Sequence, residues 1–404
     1  MEHEKRWAIV SLASIPLVMT LGNSMLIPVL PTIEKKLKIS SFQVSMIITV
    51  YSIVAIILIP IAGYLSDRLG RKAVIIPSLI ITAIGGVISG WAGWKMDNPY
   101  WIILIGRTLQ GVGAAGAAPI VMPLVGDMFN SDSEVSKNLG IIETSNTLGK
   151  VLSPILGAVL AGFIWFLPFF AIPVFCIISI ILMIFLVKSP KKKENPLPFK
   201  EFLQAIKAIF RKDSKWLFAI FFIGCILMFV LFGVLFYLSD LLEKKHEIEG
   251  IKKGFFLAVP LASLCIASYI TGKKIDKNKV LMKWLIVIST GLLGGTVLAN
   301  SFFSNIWVTT GLFFVGGIGI GIALPSLDAL ITEGIEKEER GTITSIYSSM
   351  RFIGVALGPP IVALLIKGSD NIMFYVLGGS CAVALLISLT GIHPPKNDEE
   401  GVES

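Results

Sequence analysis

Apolar residues in this chain do not alternate with polar ones. They run on for roughly 18 residues or more at a time, long enough to cross a hydrocarbon core of about 30 Å. The runs fall at about 8–31, 43–65, 73–94, 101–126, 139–161, 165–187, 216–238, 254–272, 284–300, 306–332, 342–366 and 371–391. Helix is the expected form of each, because lipid offers no partner to an unpaired backbone N–H or C=O. The fifth and sixth runs nearly fuse and are divided at the Gly162 region. The first is longer than a signal-peptide core and no small-residue cleavage site precedes Glu34, so it reads as a retained span.

The link at 188–215 divides the chain near its midpoint. Phe199, Phe202, Leu203, Ile206, Ile209 and Phe210 recur there at helical spacing among Lys200, Lys207, Arg211 and Lys212. Such a pattern suits an amphipathic helix on an anionic inner leaflet. The predicted organisation is a six-helix half at 1–187, this cytoplasmic linker at 188–215, a second six-helix half at 216–391, and a polar cytoplasmic tail at 392–404. The two halves are expected to be parallel repeats. Gly63 and Asp67, between spans two and three, match Gly272 and Asp276, between spans eight and nine, in spacing and place.

Composition agrees with a membrane protein. Of 404 residues 54% are hydrophobic and 15% charged, against roughly 25% charged in soluble domains. The net charge of +8 matters through its placement, and no nucleic-acid partner is expected. With both termini inside, the inside segments hold 23 Lys and Arg and the outside loops nine. That bias predicts a multi-pass cell-membrane protein with both termini cytoplasmic. The four cysteines and three histidines show no metal-ligand or disulfide spacing, so neither a metal nor another cofactor is expected.

Ionisable groups inside spans carry the functional signal, because burying one unpaired is costly. Arg107 lies in span four, Glu143 and Lys150 in span five, Asp328 in span ten and Arg351 in span eleven. Glu143, Asn146 and Lys150 share one face of their helix, with Glu143 and Lys150 about 10 Å apart in height. A polar stripe of this kind must face protein or water. Glu143 with Lys150 or Arg351, and Asp328 with Arg351, are the pairings that depth allows. A desolvated ammonium at Lys150 can itself exchange a proton or meet an anionic substrate. Span one offers Asn23 and Ser24 but no acid. Three deep cations against two anions favour neutral, zwitterionic or anionic substrates. Glycines in spans four and ten, Pro28 and Pro31 in span one, Pro154 in span five and Pro359 with Pro360 in span eleven permit close helix approach and bending.

Three motifs carry a resemblance. Gly63-Tyr64-Leu65-Ser66-Asp67-Arg68-Leu69-Gly70-Arg71-Lys72 matches the signature loop of the major facilitator superfamily. Arg107-Thr108-Leu109-Gln110-Gly111-Val112-Gly113 is similar to a motif of its proton-coupled members. Gly149, Ser153, Pro154 and Gly157 resemble the antiporter motif, with Ser153 and Ala158 where glycines are usual. The chain thus resembles the twelve-helix drug:proton antiporter branch. The resemblance implies an all-α membrane protein of the major facilitator fold that opens alternately to each side of the membrane. It also implies a cytoplasmic gate at Gly63, Asp67, Arg68, Gly70, Arg71 and Lys72, with Asp276 as the repeat counterpart. A proton-coupling or substrate cavity is expected around Asn23, Arg107, Gln110, Glu143, Asn146, Lys150, Asp328 and Arg351.

The expected function is proton-coupled export of hydrophobic or amphiphilic molecules, as in multidrug efflux, by a monomer whose partners are a small-molecule substrate, protons and the lipid bilayer. One alternative is a dedicated exporter or flippase of an anionic metabolite, siderophore or lipid. Another is a transporter-like receptor or scaffold. No nucleophile–base pair or phosphate loop suggests an enzyme.

Overall fold

The structure, a computed structural model, describes residues 2–129, 132–188, 214–275, 278–334 and 337–392. Within these residues there is helix and no strand. Twelve helical segments are long and apolar enough to cross a membrane. They are Trp7–Leu37, Ser41–Leu69, Arg71–Lys95, Tyr100–Met128, Asn138–Phe163 and Leu167–Leu186, then Lys215–Lys244, Gly250–Lys274, Lys279–Phe302, Ile306–Ile331, Ile343–Leu365 and Asp370–Gly391. They are called spans 1 to 12 below. The predicted amphipathic linker and tail lie almost wholly outside the described residues, as does Asp276.

Prolines act differently according to place. In span 1 the helix Glu2–Ser24 stops, a 3-10 turn occupies Ile27–Val29, and a second helix runs Leu30–Leu37. Pro28 and Pro31 lack the N–H groups that would continue the ladder. Pro154, in contrast, sits inside the unbroken helix Asp132–Phe163, and Pro359 and Pro360 sit inside Lys337–Leu365.

Spans 1–6 pack on one another chiefly through pairs 3–4, 2–4, 1–5 and 3–6. Spans 7–12 pack through 7–11, 8–10, 9–10 and 9–12. The two sets meet along spans 2 and 11 and along spans 5 and 8. A parallel six-helix repeat maps span 2 onto 8 and span 5 onto 11, so it exchanges these two interfaces. Their contacts are specific: the Thr49 hydroxyl donates to the Ala356 carbonyl at 2.8 Å, and the Tyr51 ring lies 6.4 Å from that of Phe352.

Twelve spans place both chain ends at the same end of the bundle, called here the terminal end; the other is the distal end. Exposed tryptophans mark both. Trp7 and Trp284 are at the terminal end, and Trp94, Trp101 and Trp307 at the distal end. Amphipathic indoles at two levels are what two membrane–water interfaces select.

Candidate functional site

Residues that the sequence separates by more than 200 positions meet between the two halves. Span 5 presents Glu143, Asn146 and Lys150; span 10 presents Asp328; span 11 presents Tyr347 and Arg351. Asn146 donates to both Glu143 carboxylate oxygens, at 3.2 and 3.4 Å, and its own oxygen accepts from Thr20 of span 1 at 2.5 Å. Arg351 approaches Asp328 at 3.7 Å and lies 5.5 Å over the Tyr347 ring, which stacks on Phe221 of span 7. Of the pairings that depth allowed, Asp328–Arg351 forms, while Glu143 is held by Asn146.

Lys150 is the exception. Its ammonium feels the charges of Glu143, Arg351 and Asp328, yet it makes no ion pair within 4.0 Å and no side-chain hydrogen bond among the described residues. Half-buried and without a bonded counter-ion, it stands in an unfavourable place for an ammonium. The arrangement leaves its donors available to whatever enters the space between the halves.

Arg107 belongs elsewhere. Its side chain is fully buried within the first six spans, where it donates to the carbonyls of Ile47 at 2.8 Å and Gly22 at 3.3 Å. It also donates to the side-chain oxygens of Gln110 at 2.6 Å and Asn23 at 2.7 Å. The Tyr51 ring faces it at 4.5 Å. All these acceptors are neutral, and the guanidinium binds spans 1, 2 and 4 together. Along the sequence Arg107 counts with the other deep charges, giving an excess of one cation. The structure divides that pool, so the central cluster holds Lys150 and Arg351 against Glu143 and Asp328.

The signature loop is tied within its own half. Arg71 bridges Asp67 at 2.7 Å and Asp127 of span 4 at 2.9 Å, and donates to Ser66 at 2.6 Å. Lys72 reaches the carbonyls of Ile184 and Val187 at the end of span 6, at 3.0 and 2.8 Å. Gly70 turns the chain between helices at φ +100°, a conformation that side chains other than hydrogen rarely adopt. Arg68 is exposed. Gly63 faces the second half, where a Cβ added to it would lie 3.5 Å from the Ser345 hydroxyl.

The antiporter-like residues form a packing stripe. At Gly157 a Cβ would collide with the Met25 carbonyl oxygen of span 1. At Gly149 it would lie 3.1 Å from the Leu17 carbonyl. The Ser153 hydroxyl turns back to the Lys150 carbonyl at 2.9 Å, satisfying a backbone group near Pro154.

Sequence reasoning missed four participants. Tyr347 stands four residues before Arg351, a spacing that puts both on one helix face and was readable. Tyr51 gave no signal beyond its type. Lys253 precedes the apolar run that begins at 254, yet only 1% of it is exposed. Its partner Glu243 follows the apolar run that ends at 238, but the helix continues to Lys244.

Comparison with known proteins agrees with this geometry. The model of the Major Facilitator Superfamily matches residues 12–352 and 283–403. The chain is 55% identical over 399 residues to a "Bacillibactin exporter" of Bacillus subtilis, covering 97% of this chain and 98% of that one. It is 25% identical over 394 residues to "Multidrug resistance protein 2" of the same organism, covering 96% of each. The crystal structure of the human organic anion transporter MFSD10 (TETRAN) superposes with a TM-score of 0.76 at 17% identity, over 95% of this chain and 99% of that one. The expected fold is therefore present, and the relatives are transporters rather than enzymes. This chain belongs to the major facilitator superfamily.

Proposed function

We propose that this protein exports a siderophore or a chemically similar anionic chelator, moving it between the two six-helix halves by alternating access. The observation that carries this reading is the Lys150 ammonium, half-buried at the junction of the halves without a bonded partner among the described residues. An anionic ligand supplies the bonded partner that the protein does not, and partial removal from water strengthens that attraction. The full-length relative named a bacillibactin exporter, at 55% identity, supports the same substrate class. Relatives named for multidrug resistance are more distant, at 25% identity. The broad multidrug expectation is therefore the weaker of the two.

The positive-inside bias orients the terminal end toward the cytoplasm and the distal end outward. Substrate enters from the terminal end, and the halves rock to release it at the distal end. A proton moving the other way is the proposed driving force, and the Glu143–Lys150–Asp328–Arg351 cluster holds the groups able to accept it. Reciprocal coupling is then required: whatever protonation does to substrate affinity, substrate does to proton affinity.

The test is flux in proteoliposomes of the purified protein under an imposed pH gradient. Iron-free bacillibactin, a simple anionic chelator and a lipophilic cation serve as substrates. Gradient-dependent movement of the first is the expected result. Movement of the cation alone would return the protein to the multidrug class, and no gradient dependence would remove the proton from the scheme.

A further inference from the structure

At the distal end, two helices of the second half hold one short piece of span 1. Lys253 of span 8 donates to the Pro28 carbonyl at 2.7 Å and pairs with Glu243 of span 7 at 2.7 Å. Thr32 donates to the same carboxylate at 3.3 Å. Ser239 donates to the Ile27 carbonyl at 2.9 Å. Both members of the ion pair are largely dehydrated, with side chains 2% and 9% exposed.

The sequence explains why span 1 can accept these bonds. Pro31 has no N–H to give Ile27 an i+4 bond, and the chain passes through a 3-10 turn at Ile27–Val29. Carbonyl groups around this break keep acceptor capacity, and the donors come from the other half. Lys253 is held at the right depth by its neighbour: a Cβ on Gly254 would stand 2.8 Å from the Pro154 carbonyl of span 5.

A second pair, Lys244–Glu34 at 2.9 Å, also joins the halves, but its lysine is 42% exposed. Surface pairs of that kind are weak and screened by salt. A dehydrated pair with satisfied hydrogen bonds resists separation far more strongly, because each charge released into a dry space is uncompensated. Just outside it lies a cavity of about 750 Å³ lined by Pro31, Glu34, Lys35, Lys38, Glu243 and Lys244, among others. Glu243 belongs to both the pair and the cavity wall, so water entering from that cavity can hydrate the charges as the halves part.

We propose that Lys253, Glu243, Thr32 and Ser239 form a latch on the Ile27–Pro28 carbonyls that holds the distal mouth closed, and that hydrating it is a step in opening that mouth. The inference rests on the alternating-access reading above. It goes further by naming the bonds that set the balance between states, at a place remote from the central cluster.

The test uses full-length protein in lipid nanodiscs, with the four native cysteines replaced and spin labels attached through K36C and H246C, which stand on opposite halves of the distal end. Pulsed distance measurements give the ratio of open to closed mouths. K253M and E243Q are each expected to raise that ratio at least tenfold. An unchanged ratio in monodisperse protein overturns the latch. If K253M does not fold, the S239A/T32V pair, which removes only neutral donors, is expected to raise the ratio several-fold, and no change there overturns the proposal equally. Two distances in the parent protein that neither variant shifts defeat the latch alone. A single distance throughout, with substrate and a pH gradient supplied, defeats alternating access and the latch with it.

Discussion

Arg107 in span 4 donates to the side-chain oxygen of Asn23 in span 1 at 2.7 Å, and no carboxylate lies within 4.0 Å of that guanidinium among the described residues. A charge this deeply buried is tolerated because its planar fork reaches four neutral oxygens on three spans. Asn23 is the one acceptor among them that is a side chain from another span.

Replacing that oxygen tests the clamp. N23A leaves a buried charged donor unsatisfied, which costs about 1.5–3 kcal/mol. A lowered melting temperature in detergent is expected, with a similar loss in R107K, whose ammonium cannot reproduce the fork. Melting at the parent temperature in both variants would show that the nest does not hold spans 1, 2 and 4 together.

Lys150 should govern affinity rather than folding. K150M is expected to weaken binding of an anionic chelator at least tenfold, a loss of about 1.4 kcal/mol, while leaving a lipophilic neutral probe unaffected. Equilibrium binding by calorimetry reads both. Equal affinity of parent and variant for the anion would remove Lys150 from the substrate site.

Asp328 and Lys150 stand on opposite halves, and a charge change at one should be felt at the other. The double-mutant cycle D328N and K150M, read as substrate affinity, is expected to give a coupling energy of about 0.5–3 kcal/mol. D328N alone also removes the carboxylate 3.7 Å from Arg351. Strict additivity of the two substitutions would mean that the cluster does not act as a unit.

Gly157 limits how close spans 1 and 5 can stand. G157V places methyl groups against the Met25 carbonyl, and overpacking of this kind costs about 1–3 kcal/mol. Reduced folded yield and slowed transport are expected. Parent-like yield and rate would show that the approach is not required.

The signature loop is expected to act on turnover. D67N removes the carboxylate from Arg71, leaving Asp127 and Ser66 as its partners. The maximal transport rate should fall severalfold with substrate affinity little changed. A parent-like rate would count against a gate at this loop.

Much of the architecture was legible because its physics is local. Twenty-residue apolar runs announce spans, the Gly63–Lys72 loop announces the family, and a lysine in an apolar run stands out as an anomaly. Boundaries were less legible: a run such as LSDLLEKK, at 238–245, reads as the end of a span, yet the helix carries Asp240, Glu243 and Lys244 onward. Polar residues at a helix end look alike whether they enter water or turn inward to a partner.

The sequence by itself determined the twelve-helix membrane chain, the repeated plan and the presence of five unusual charges, because hydrophobic length and motif spacing are properties of one stretch of chain. Only the tertiary structure decided how those charges divide. It placed Arg107 in a neutral nest, set Asp328 against Arg351, left Lys150 without a bonded partner among the described residues, and buried Lys253 with Glu243 at the distal end. The physical reason is that a charge's environment depends on atoms a few ångströms away, and these arrive from helices more than 200 residues distant.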